Sequence, residues 1–522
     1  MIFPAGRTFS LPANAQIVIE ASENTGIIID GGSFSVPNGV TLKFTAAAGW
    51  KGFLLKSGAL IIPGGVSIES AGKTAFDGQT ETAAITAIAG GSLSLTSVNI
   101  TKSAGYDLLV TSFTGSLAVQ NNIFSAAKPI KSTINQLPYI TSNSFTAPYD
   151  YNIITTPGAG TAVSTTTGAG FTFQGGVKYY IDGDLTLGSS LNTQSSSNPQ
   201  SSTTILMKAG AGILASGGIS LSSYLVMDGL NSAPWKGIAI GKNGTISGLT
   251  IKNAGSAVFN TGSFTSDAKA AIYYFSEDIT NITGTEIIDS KGYGLYIASA
   301  NGYVNLSGVN KFTNPASPGI NVKLDKVNNV ISTSTNSFTM PAGVAAVEVR
   351  VPNSTVTPVG DWYPLGDANF YSFTGSVVQG GGSWTLKPGV NLKLKAGRFI
   401  DLQQGLFIAI GTSENPITFD SEAGTSGTWQ GILVQTTYKI EYCQIKNGGD
   451  SNLLKGATPA TEKANIVFNY GGATANSFKN NTVTGSAGYG ILVEATKQNP
   501  DAANVSNANT FSANTSGNII VK

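Results

Sequence analysis

Short apolar runs alternate with polar punctuation along the whole chain. Many of the apolar residues are β-branched, and Gly, Asn or Asp separates the runs, as in GIIIDGG (26–32), GVTLKF (39–44) and GALIIPGG (58–65). No stretch keeps the helical period of about 3.6 residues for three turns. The pattern therefore predicts many short strands joined by tight turns, and an all-β fold class.

One phrase recurs at long intervals, with Trp, then Lys or Gln, then Gly before three apolar residues. Its copies are AGWKGFLL (48–55), APWKGIAI (233–240) and GTWQGILV (427–434). A second phrase follows each copy, as VSIESAGK (66–73), LTIKNAGS (249–256) and CQIKNGGD (443–450). Such internal repeats are typical of solenoids. We expect residues 1–522 to form one continuous domain with sequence modules near 1–165, 166–355 and 356–522.

A parallel β-helix fits these strands and repeats better than a sandwich does. The pattern offers no helices for crossovers, and no linker rich in Pro or charge divides the chain into several sandwich domains. In a β-helix, each coil of roughly 20–30 residues stacks on the previous one at the ~4.8 Å spacing of paired strands. We therefore expect a single β-helix of roughly twenty coils, with like apolar residues in inward-facing columns.

The Trp phrase is interpreted as a structural corner. Glycine allows a tight turn, the apolar residues begin a strand whose alternate side chains enter the core, and the tryptophan covers the corner. The alternative is a tryptophan that stacks on a sugar ring in each repeat. The residues concerned are Trp50, Gly52, Trp235, Gly237, Trp429 and Gly431.

Composition excludes several classes of function. Charged residues make up 11% of the chain, the net charge is +1, and no basic stripe is present, so nucleic-acid binding is not expected. Histidine is absent, which removes Ser-His-Asp and Cys-His catalysis and His-ligated zinc. The single Cys443 excludes an intramolecular disulfide, and no apolar segment reaches the ~18 residues of a transmembrane helix. The Cys-poor, Asn/Thr/Ser-rich composition with Lys in excess over Arg is typical of exported bacterial proteins.

Residues 405–449 resemble a known repeat. The stretch contains Gly-Thr-x-x-x-Pro-Ile-x-Phe (411–419), the Trp429 phrase and Ile-x-Tyr-Cys-x-Ile (440–445). Together they resemble secreted bacterial right-handed parallel β-helix proteins of the pectate-lyase-like superfamily. The resemblance implies a right-handed coil, but it leaves the activity open, because this superfamily includes lyases, glycosidases, adhesins and proteins without known activity.

The lyase branch of the resemblance implies a calcium site and an Arg or Lys base. The best acidic cluster is YYIDGDLTL (179–187), where Asp182 and Asp184 would share one face of a strand. An Asp-Gly turn explains Asp182 equally well. Calcium is thus the one cofactor that the sequence leaves open, and no other cofactor is expected.

The glycosidase branch implies an Asp-Asp pair and a Gly-His-Gly turn, and the chain has neither. A two-carboxylate site remains possible, since carboxylates ~5–9.5 Å apart suffice. The candidates are Glu277 with Asp278 and Asp420 with Glu422, and the alternative is that these are surface acids. We therefore expect no enzyme, with a lyase or glycosidase as the alternative.

Aromatic clusters that interrupt the coil rhythm indicate binding. The most conspicuous is DWYPLGDANFYSF (361–373), followed by AIYYFSED (271–278) and PYDYN (148–152). Aromatic rings beside Asp and Asn suit stacking on sugars, and the alternative is that the first cluster links two modules and packs on the solenoid. The candidate ligand-binding residues are Trp362, Tyr363, Phe370, Tyr371, Tyr273 and Tyr274.

These observations predict a secreted or surface-displayed bacterial protein that recognises polysaccharide or host glycans without catalysis, as an adhesin or glycan-capture protein. The alternatives are a polysaccharide lyase or glycoside hydrolase, and a structural spacer. An enzyme predicts acids converging on one face of neighbouring coils, a binder predicts exposed aromatic rings there, and a spacer predicts uniform Thr, Asn and Lys faces.

Overall fold

The protein is an all-β parallel solenoid, as predicted. A computed structural model describes residues 1–9, 16–20, 22, 24–37, 40–146, 150–156, 171–188, 190–193, 202–221, 224–260, 264–331, 336–352, 357–366, 368–455, 458–459, 462–469, 476–494 and 502–522. They divide into two compact units, Met1–Trp235 and Lys236–Lys522. The units together hold about 17 turns, close to the roughly twenty expected. The right-handed coil and the single domain of three modules stay predictions.

Unit 1 (Met1–Trp235) is built from short strands. Strands β1 to β25 are, in chain order, Ile2–Pro4, Thr8–Phe9, Gln16–Glu20, Gly26–Ser35, Thr41–Thr45, Gly52–Ile62, Val66–Glu69, Ala83–Ala89, Ser92–Thr96, Asn99–Thr101, Tyr106–Phe113, Ser116–Gln120, Ile123–Phe124, Lys128–Thr133, Ile140–Thr141, Ser144–Phe145, Ile153–Thr156, Phe171–Phe173, Lys178–Ile181, Leu185–Leu187, Leu191–Thr193, Thr203–Met207, Gly212–Ala215, Ile219–Leu221 and Leu225–Gly229. Its 3₁₀ helices are Ile134–Tyr139 and Leu230–Ser232.

Unit 2 (Lys236–Lys522) has the same construction. Strands β26 to β54 are, in chain order, Gly237–Ile240, Gly244–Ser247, Leu249–Lys252, Ala270–Tyr274, Ile279–Thr283, Glu286–Ile288, Tyr293–Ile297, Tyr303–Ser307, Lys311–Thr313, Ile320–Lys323, Ser337–Thr339, Val347–Arg350, Gly360–Trp362, Tyr371–Phe373, Val377–Leu386, Asn391–Leu394, Phe399–Ile410, Ile417–Ser421, Gly431–Val434, Thr437–Glu441, Cys443–Lys446, Leu454–Lys455, Thr458–Pro459, Ala464–Phe468, Ser477–Lys479, Thr482–Thr484, Tyr489–Val493, Thr510–Ser512 and Gly517–Val521. Its helices are a 3₁₀ turn at Leu324–Lys326, α1 (Val327–Ile331) and α2 (Ala502–Ala508).

Successive turns pair in parallel, so inward-facing side chains stack in columns. Residues two apart on a strand share a face of the sheet, and the side chains between them point outward. The clearest column in unit 2 is buried throughout and runs through Ile238, Ile272, Leu295, Ile320, Val347, Tyr371, Leu392, Phe419, Ile445 and Val483.

The glycine of each Trp phrase lies where the following turn passes close by. Gly52, Gly237 and Gly431 have φ of +95°, +103° and +121°. A Cβ atom on Gly52 would lie 2.2 Å from the carbonyl oxygen of Ala84, and one on Gly431 would lie 2.5 Å from that of Asn465. These positions therefore require glycine for both backbone conformation and space.

The tryptophans of the same phrases are buried, and two of them fasten the corner to the strand that carries the second phrase. Trp50 Nε1 donates to the carbonyl oxygen of Glu69 at 2.9 Å, and Trp429 Nε1 donates to that of Lys446 at 2.7 Å. Trp235 is also fully buried. None of the three rings has a free face on which a sugar could stack.

The strand after Trp429 differs from the expected alternation of buried and exposed residues. All four residues of β44 (Gly431–Val434) are buried. The outer face of this strand is covered, because Leu433 packs in an apolar cluster with Leu453, Val467 and Leu492. An inserted segment between neighbouring strands thus hides a face that the repeat alone would leave in solvent.

The repeated phrases lie on different sheets within unit 2. The strand after Trp235, β26 (Gly237–Ile240), belongs to a sheet that also contains β46 (Cys443–Lys446), which carries the second phrase of the next module. The earlier second phrase, in β28 (Leu249–Lys252), lies in another sheet, which ends at β36 (Ser337–Thr339) among the described residues. The first phrase of one module and the second phrase of the next therefore lie in the same sheet, so the repeat does not keep one sheet for each phrase.

Asp107 is a fully buried carboxylate that joins two turns of unit 1. Its Oδ1 accepts a hydrogen bond from Ser103 Oγ at 2.6 Å, and its Oδ2 accepts the backbone N–H groups of Ser125 and Ala126, each at 2.8 Å. Burial raises the pKa of Asp107 to about 6, and the three hydrogen bonds offset this shift only in part. The folded protein therefore favours the protonated acid more than the unfolded chain does.

The Gly431 corner generates a prediction about stability. Gly431→Ala is expected to lower the free energy of unfolding by more than about 2 kcal/mol, because the new Cβ meets the backbone of the next turn. The matched control is Gly424→Ala, since Gly424 also has positive φ (+66°) but no atom within 4 Å of the place that a Cβ would occupy. The control is expected to lose about 1 kcal/mol from backbone strain alone. Urea unfolding measures both, and equal losses would contradict the close-approach explanation.

Asp107 generates a prediction about pH. A raised folded-state pKa stabilises the protein fully below the unfolded value near 3.8, and this contribution is lost as the pH rises through about 6. Asp107→Asn removes the titration, while its amide can still accept from the two N–H groups and donate to Ser103. From pH 4 to pH 7 the free energy of unfolding of the wild type should therefore fall by up to about 3 kcal/mol relative to that of the variant. Urea unfolding of both proteins measures this change. The same difference in unfolding free energy between wild type and variant at pH 4 and at pH 7 would contradict the assignment.

Candidate functional site

The outer face of one sheet in unit 2 carries a row of polar side chains. The sheet includes β32 (Tyr293–Ile297), β35 (Ile320–Lys323), β37 (Val347–Arg350), β39 (Tyr371–Phe373), β41 (Asn391–Leu394) and β43 (Ile417–Ser421). Their register aligns Tyr296, Asn321, Glu348, Ser372, Lys393 and Asp420 across neighbouring turns. Each of these residues lies next to a member of the inward column, so the row follows from the alternation of a strand.

Glu348 is the centre of a hydrogen-bond network on this face. Its Oε1 accepts from Tyr293 Oη at 2.8 Å and from Asn321 Nδ2 at 2.7 Å, and its Oε2 pairs with Lys395 Nζ at 3.1 Å. Glu348 is only 9% exposed, whereas the Lys395 side chain is 42% exposed. Burial, followed by the hydrogen bond to Glu348, raises the pKa of Tyr293, so its hydroxyl stays protonated and acts as a donor.

A second group of contacts lies on the neighbouring turns. The Arg350 guanidinium lies 5.0 Å from the ring centroid of Tyr296 and donates to the carbonyl oxygen of Ile297. The Asp267 carboxylate accepts from Tyr273 Oη at 2.6 Å and from Tyr296 Oη at 3.2 Å. Burial raises the pKa of both tyrosines. The arrangement holds a cation over an aromatic ring, which is favourable in a partly desolvated site.

An open pocket of about 400 Å³ adjoins these residues. It is lined by Ala298, Ser299, Ala300, Lys323, Arg350, Val351, Pro352 and Thr374. The Oδ1 atom of Asn321, a residue only 1% exposed, accepts no hydrogen bond from any part of the chain that the structure describes. Asn321 is not one of the residues that line the pocket, so this unpaired acceptor belongs to the buried network beside Glu348.

Two of the acids proposed from the sequence lie on this face. Glu422 Oε2 accepts from Ser372 Oγ at 3.1 Å, and Ser372 is the register partner of Glu348. Asp420 Oδ1 accepts from Asn447 Nδ2 at 2.8 Å. Glu277 accepts from Ser299, a pocket residue, at 3.2 Å. The face therefore holds several carboxylates on neighbouring turns, together with aromatic and cationic groups.

Five of the six candidate ligand-binding aromatic residues are buried, which corrects the expectation that they form an exposed recognition surface. Tyr371 belongs to the inward column, and Tyr274 pairs with the buried Ile297 in the column beside it. Trp362 faces inward and packs against Trp384 at 5.3 Å between centroids. Their burial follows from strand parity, which leaves these rings no face for a ligand.

Phe370 and Tyr273 are buried for a different reason, since other side chains cover them. The Lys393 ammonium lies 4.2 Å from the Phe370 ring centroid. Phe264 packs on Tyr273 at 5.7 Å between centroids, and Asp267 from the same segment binds the Tyr273 hydroxyl. The described residues of DWYPLGDANFYSF (361–366 and 368–373) thus run from β38 (Gly360–Trp362) to β39 (Tyr371–Phe373), and their buried rings pack on the solenoid.

Tyr363 is the member of this set that solvent reaches, with 37% of its surface exposed. The Lys387 ammonium lies 6.0 Å from its ring centroid and pairs with Asp361 at 2.7 Å. The ring is thus available for stacking, with charged groups at its edge.

The proposed metal ligands Asp182 and Asp184 have protein partners. Asp182 pairs with Lys208 at 3.0 Å, and Asp184 Oδ1 accepts the backbone N–H of Gly212 in the next turn at 2.8 Å. Among the residues that the structure describes, no group of three or more His, Cys, Asp or Glu side chains is placed to hold a metal ion. A role in calcium binding stays a prediction that these contacts do not support.

The central residues of the face were missed at the sequence level. A signal existed, because Glu348 and Arg350 are two residues apart in VEVR (347–350) and therefore share the face of a strand. Lys395 and Tyr293 carry no such signal, since they reach Glu348 from distant turns.

No family model, no curated protein and no solved structure matches this chain. Within the described residues, no helix is long and apolar enough to cross a membrane.

The Glu348 network predicts measurable coupling between Tyr293 and Glu348. Tyr293→Phe and Glu348→Ala should be non-additive by about 1 kcal/mol in urea unfolding, because the hydroxyl donates to a mostly buried carboxylate. The control cycle combines Glu348→Ala with Tyr303→Phe, since Tyr303 lies in another sheet with its ring under Lys326. The control pair should be additive, and additivity of both pairs would contradict the network.

Proposed function

We propose that the protein recognises polysaccharide or host glycans without catalysis, through the outer face around Glu348 and Arg350. The observation that carries the proposal is the open pocket lined by Lys323, Arg350 and Thr374, which lies on the strand that also carries the Glu348 hydrogen-bond network. A sugar presents many hydroxyl groups, which need donors and acceptors in fixed positions. Rigid strands that fix such groups are the usual basis of a preorganised site.

The location and ancestry of the protein form part of the same proposal. The parallel solenoid and the motifs in 405–449 support membership of the pectate-lyase-like superfamily of secreted right-handed β-helix proteins. Export to the surface of a bacterium follows from that membership and from the composition, and surface display would bring the face into contact with external glycans.

A polysaccharide lyase or glycoside hydrolase is the second candidate. Glu348 and Glu422 lie on one face with Lys395 and Arg350, and converging acids are the feature expected of an enzyme. In this candidate the two carboxylates, or a cation and a carboxylate, would act on a sugar chain lying across the turns. The engagement of Glu348 by three protein groups favours a binding role over a reacting one.

The test is native affinity electrophoresis through gels that contain plant, microbial or mucin-type polysaccharides, with calcium or with chelator. The wild type should be retarded in at least one gel, and Arg350→Ala/Lys395→Ala should lose most of that retardation. The control Lys439→Ala/Lys463→Ala removes the same charge from β45 (Thr437–Glu441) and from the residue just before β49 (Ala464–Phe468), and it should behave as the wild type. Tyr363→Ala tests the exposed ring of the neighbouring segment.

Two results would contradict the proposal. Free migration of the wild type in every gel would exclude glycan capture from this panel. Release of new reducing ends or unsaturated sugars from the retarding polysaccharide, abolished by Glu348→Gln or Glu422→Gln, would assign the face to the lyase or hydrolase candidate.

A further inference from the structure

Unit 1 carries its own aromatic platform on an outer sheet face. The strands concerned are β11 (Tyr106–Phe113), β14 (Lys128–Thr133), β17 (Ile153–Thr156) and β19 (Lys178–Ile181), which pair in parallel on successive turns. The rings of Tyr151 and Tyr180 pack against each other, with centroids 5.4 Å apart and planes inclined by 31°. Both rings are partly exposed.

The two rings rest on a buried apolar floor. It consists of Ala83, Tyr106, Leu109 and Ile154, against which Tyr151 and Tyr180 pack. The register explains the floor, since Ile154 is the partner of Tyr180 and Lys131 is the partner of both Leu109 and Ile154. The tyrosines are thus held by packing, so little conformational entropy would be lost on binding.

Ion pairs lie on either side of the rings. Lys131 Nζ lies 2.7 Å from each carboxylate oxygen of Glu81, and Lys208 pairs with Asp182 at 3.0 Å. Tyr180 Oη approaches Asp182 Oδ1 at 3.4 Å. Burial, then the charge of Glu81, raises the pKa of Tyr106 to about 12. The platform is therefore edged by carboxylates and ammonium groups that are already paired.

Several charges beside the rings are already paired. Lys131 and Lys208 pair with Glu81 and Asp182, Asp150 lies near Tyr151, and Lys128 and Lys178 are the further lysines of β14 and β19. With two of its four lysines held in ion pairs and three carboxylates nearby, this surface offers little net attraction for a phosphorylated, sulfated or uronic ligand. Its apolar rings and paired polar edges match a ligand that has one apolar face and hydroxyl groups around its rim.

We propose that Tyr151 and Tyr180 form a second binding site, specific for neutral pyranose units of a glycan chain. The C–H face of the sugar would lie on the electron-rich tyrosine faces, and its hydroxyl groups would bond to the carboxylates of Glu81 and Asp182. The inference rests on the proposed glycan-binding function and adds to it a site and a ligand class.

The experiment is isothermal titration calorimetry of the whole protein with neutral hexasaccharides of cellulose, xylan, mannan and chitin. The wild type should bind at least one of them. Tyr151→Ala and Tyr180→Ala should each weaken that binding about tenfold, through the loss of a stacking face. Tyr151→Phe/Tyr180→Phe keeps both rings and should change the affinity by less than about fivefold.

Matched controls separate binding from folding. Tyr139→Ala removes a tyrosine of the same unit that is 55% exposed and lies outside the platform, and it should bind as the wild type does. Unfolding midpoints of all variants show whether the Ala changes only destabilise unit 1, and the Phe pair keeps the test valid if they do. Equal binding by the wild type and both Ala variants would overturn the second site.

The outcomes also distinguish the two proposals. Retardation of the wild type in a polysaccharide gel without binding of any neutral hexasaccharide would overturn the platform while leaving the Glu348 face in place. Binding of a hexasaccharide that Arg350→Ala/Lys395→Ala abolishes, and that the tyrosine variants leave unchanged, would do the same. Loss of binding in the tyrosine variants alone would support the platform independently of the Glu348 face.

Discussion

Parallel pairing between successive turns is the constraint on which the rest of this protein depends. Each turn must lie one strand spacing from the next along its whole length, so a side chain has room only where the neighbouring backbone leaves it. Gly431 shows the consequence most clearly, since the carbonyl oxygen of Asn465 occupies the place of a side chain. The tryptophan two residues earlier fills the corner and donates to the carbonyl oxygen of Lys446 at the end of β46. Position along the turn therefore decides residue type more strongly than local propensity does.

The same pairing builds the candidate site from residues that are far apart in sequence. Glu348 meets Asn321 from the preceding turn, Tyr293 from two turns back and Lys395 from two turns ahead. Asn321 and Glu348 converge because they occupy outward positions of stacked strands, and Tyr293 and Lys395 reach Glu348 from the ends of β32 and β41. In unit 1 the platform of Tyr151 and Tyr180 arises in the same way above its own floor. The pairing of strands on successive turns brings the residues of both faces together, and neither face corresponds to a continuous sequence motif.

The sequence was sufficient for the fold and insufficient for the surface. Repeated phrases and short apolar runs predict the solenoid, because every turn must pack on its neighbours in the same way. Whether a given aromatic residue faces the core or the solvent depends on its position along the strand, and an error of one residue in that position reverses the answer. Trp362 and Tyr371 were assigned to a recognition loop for this reason, although both face the core. Strand parity alone does not predict the burial of Tyr273, because the segment just before its strand folds over the ring. The shared face of Glu348 and Arg350 can be predicted from the sequence, because two residues of one strand separated by a single position point to the same side.

The migration of the repeated phrases between sheets of unit 2 has a consequence for how such a protein diversifies. In most repeat proteins a duplicated unit presents the same surface again, so copies add to one extended stripe. Here the strand after Trp235 and the strand after Trp429 belong to different sheets. A side chain inherited at the same place in two modules therefore points in two directions. Repetition of a module in this chain therefore places equivalent side chains on different faces of the solenoid. Each copy then contacts different neighbouring residues.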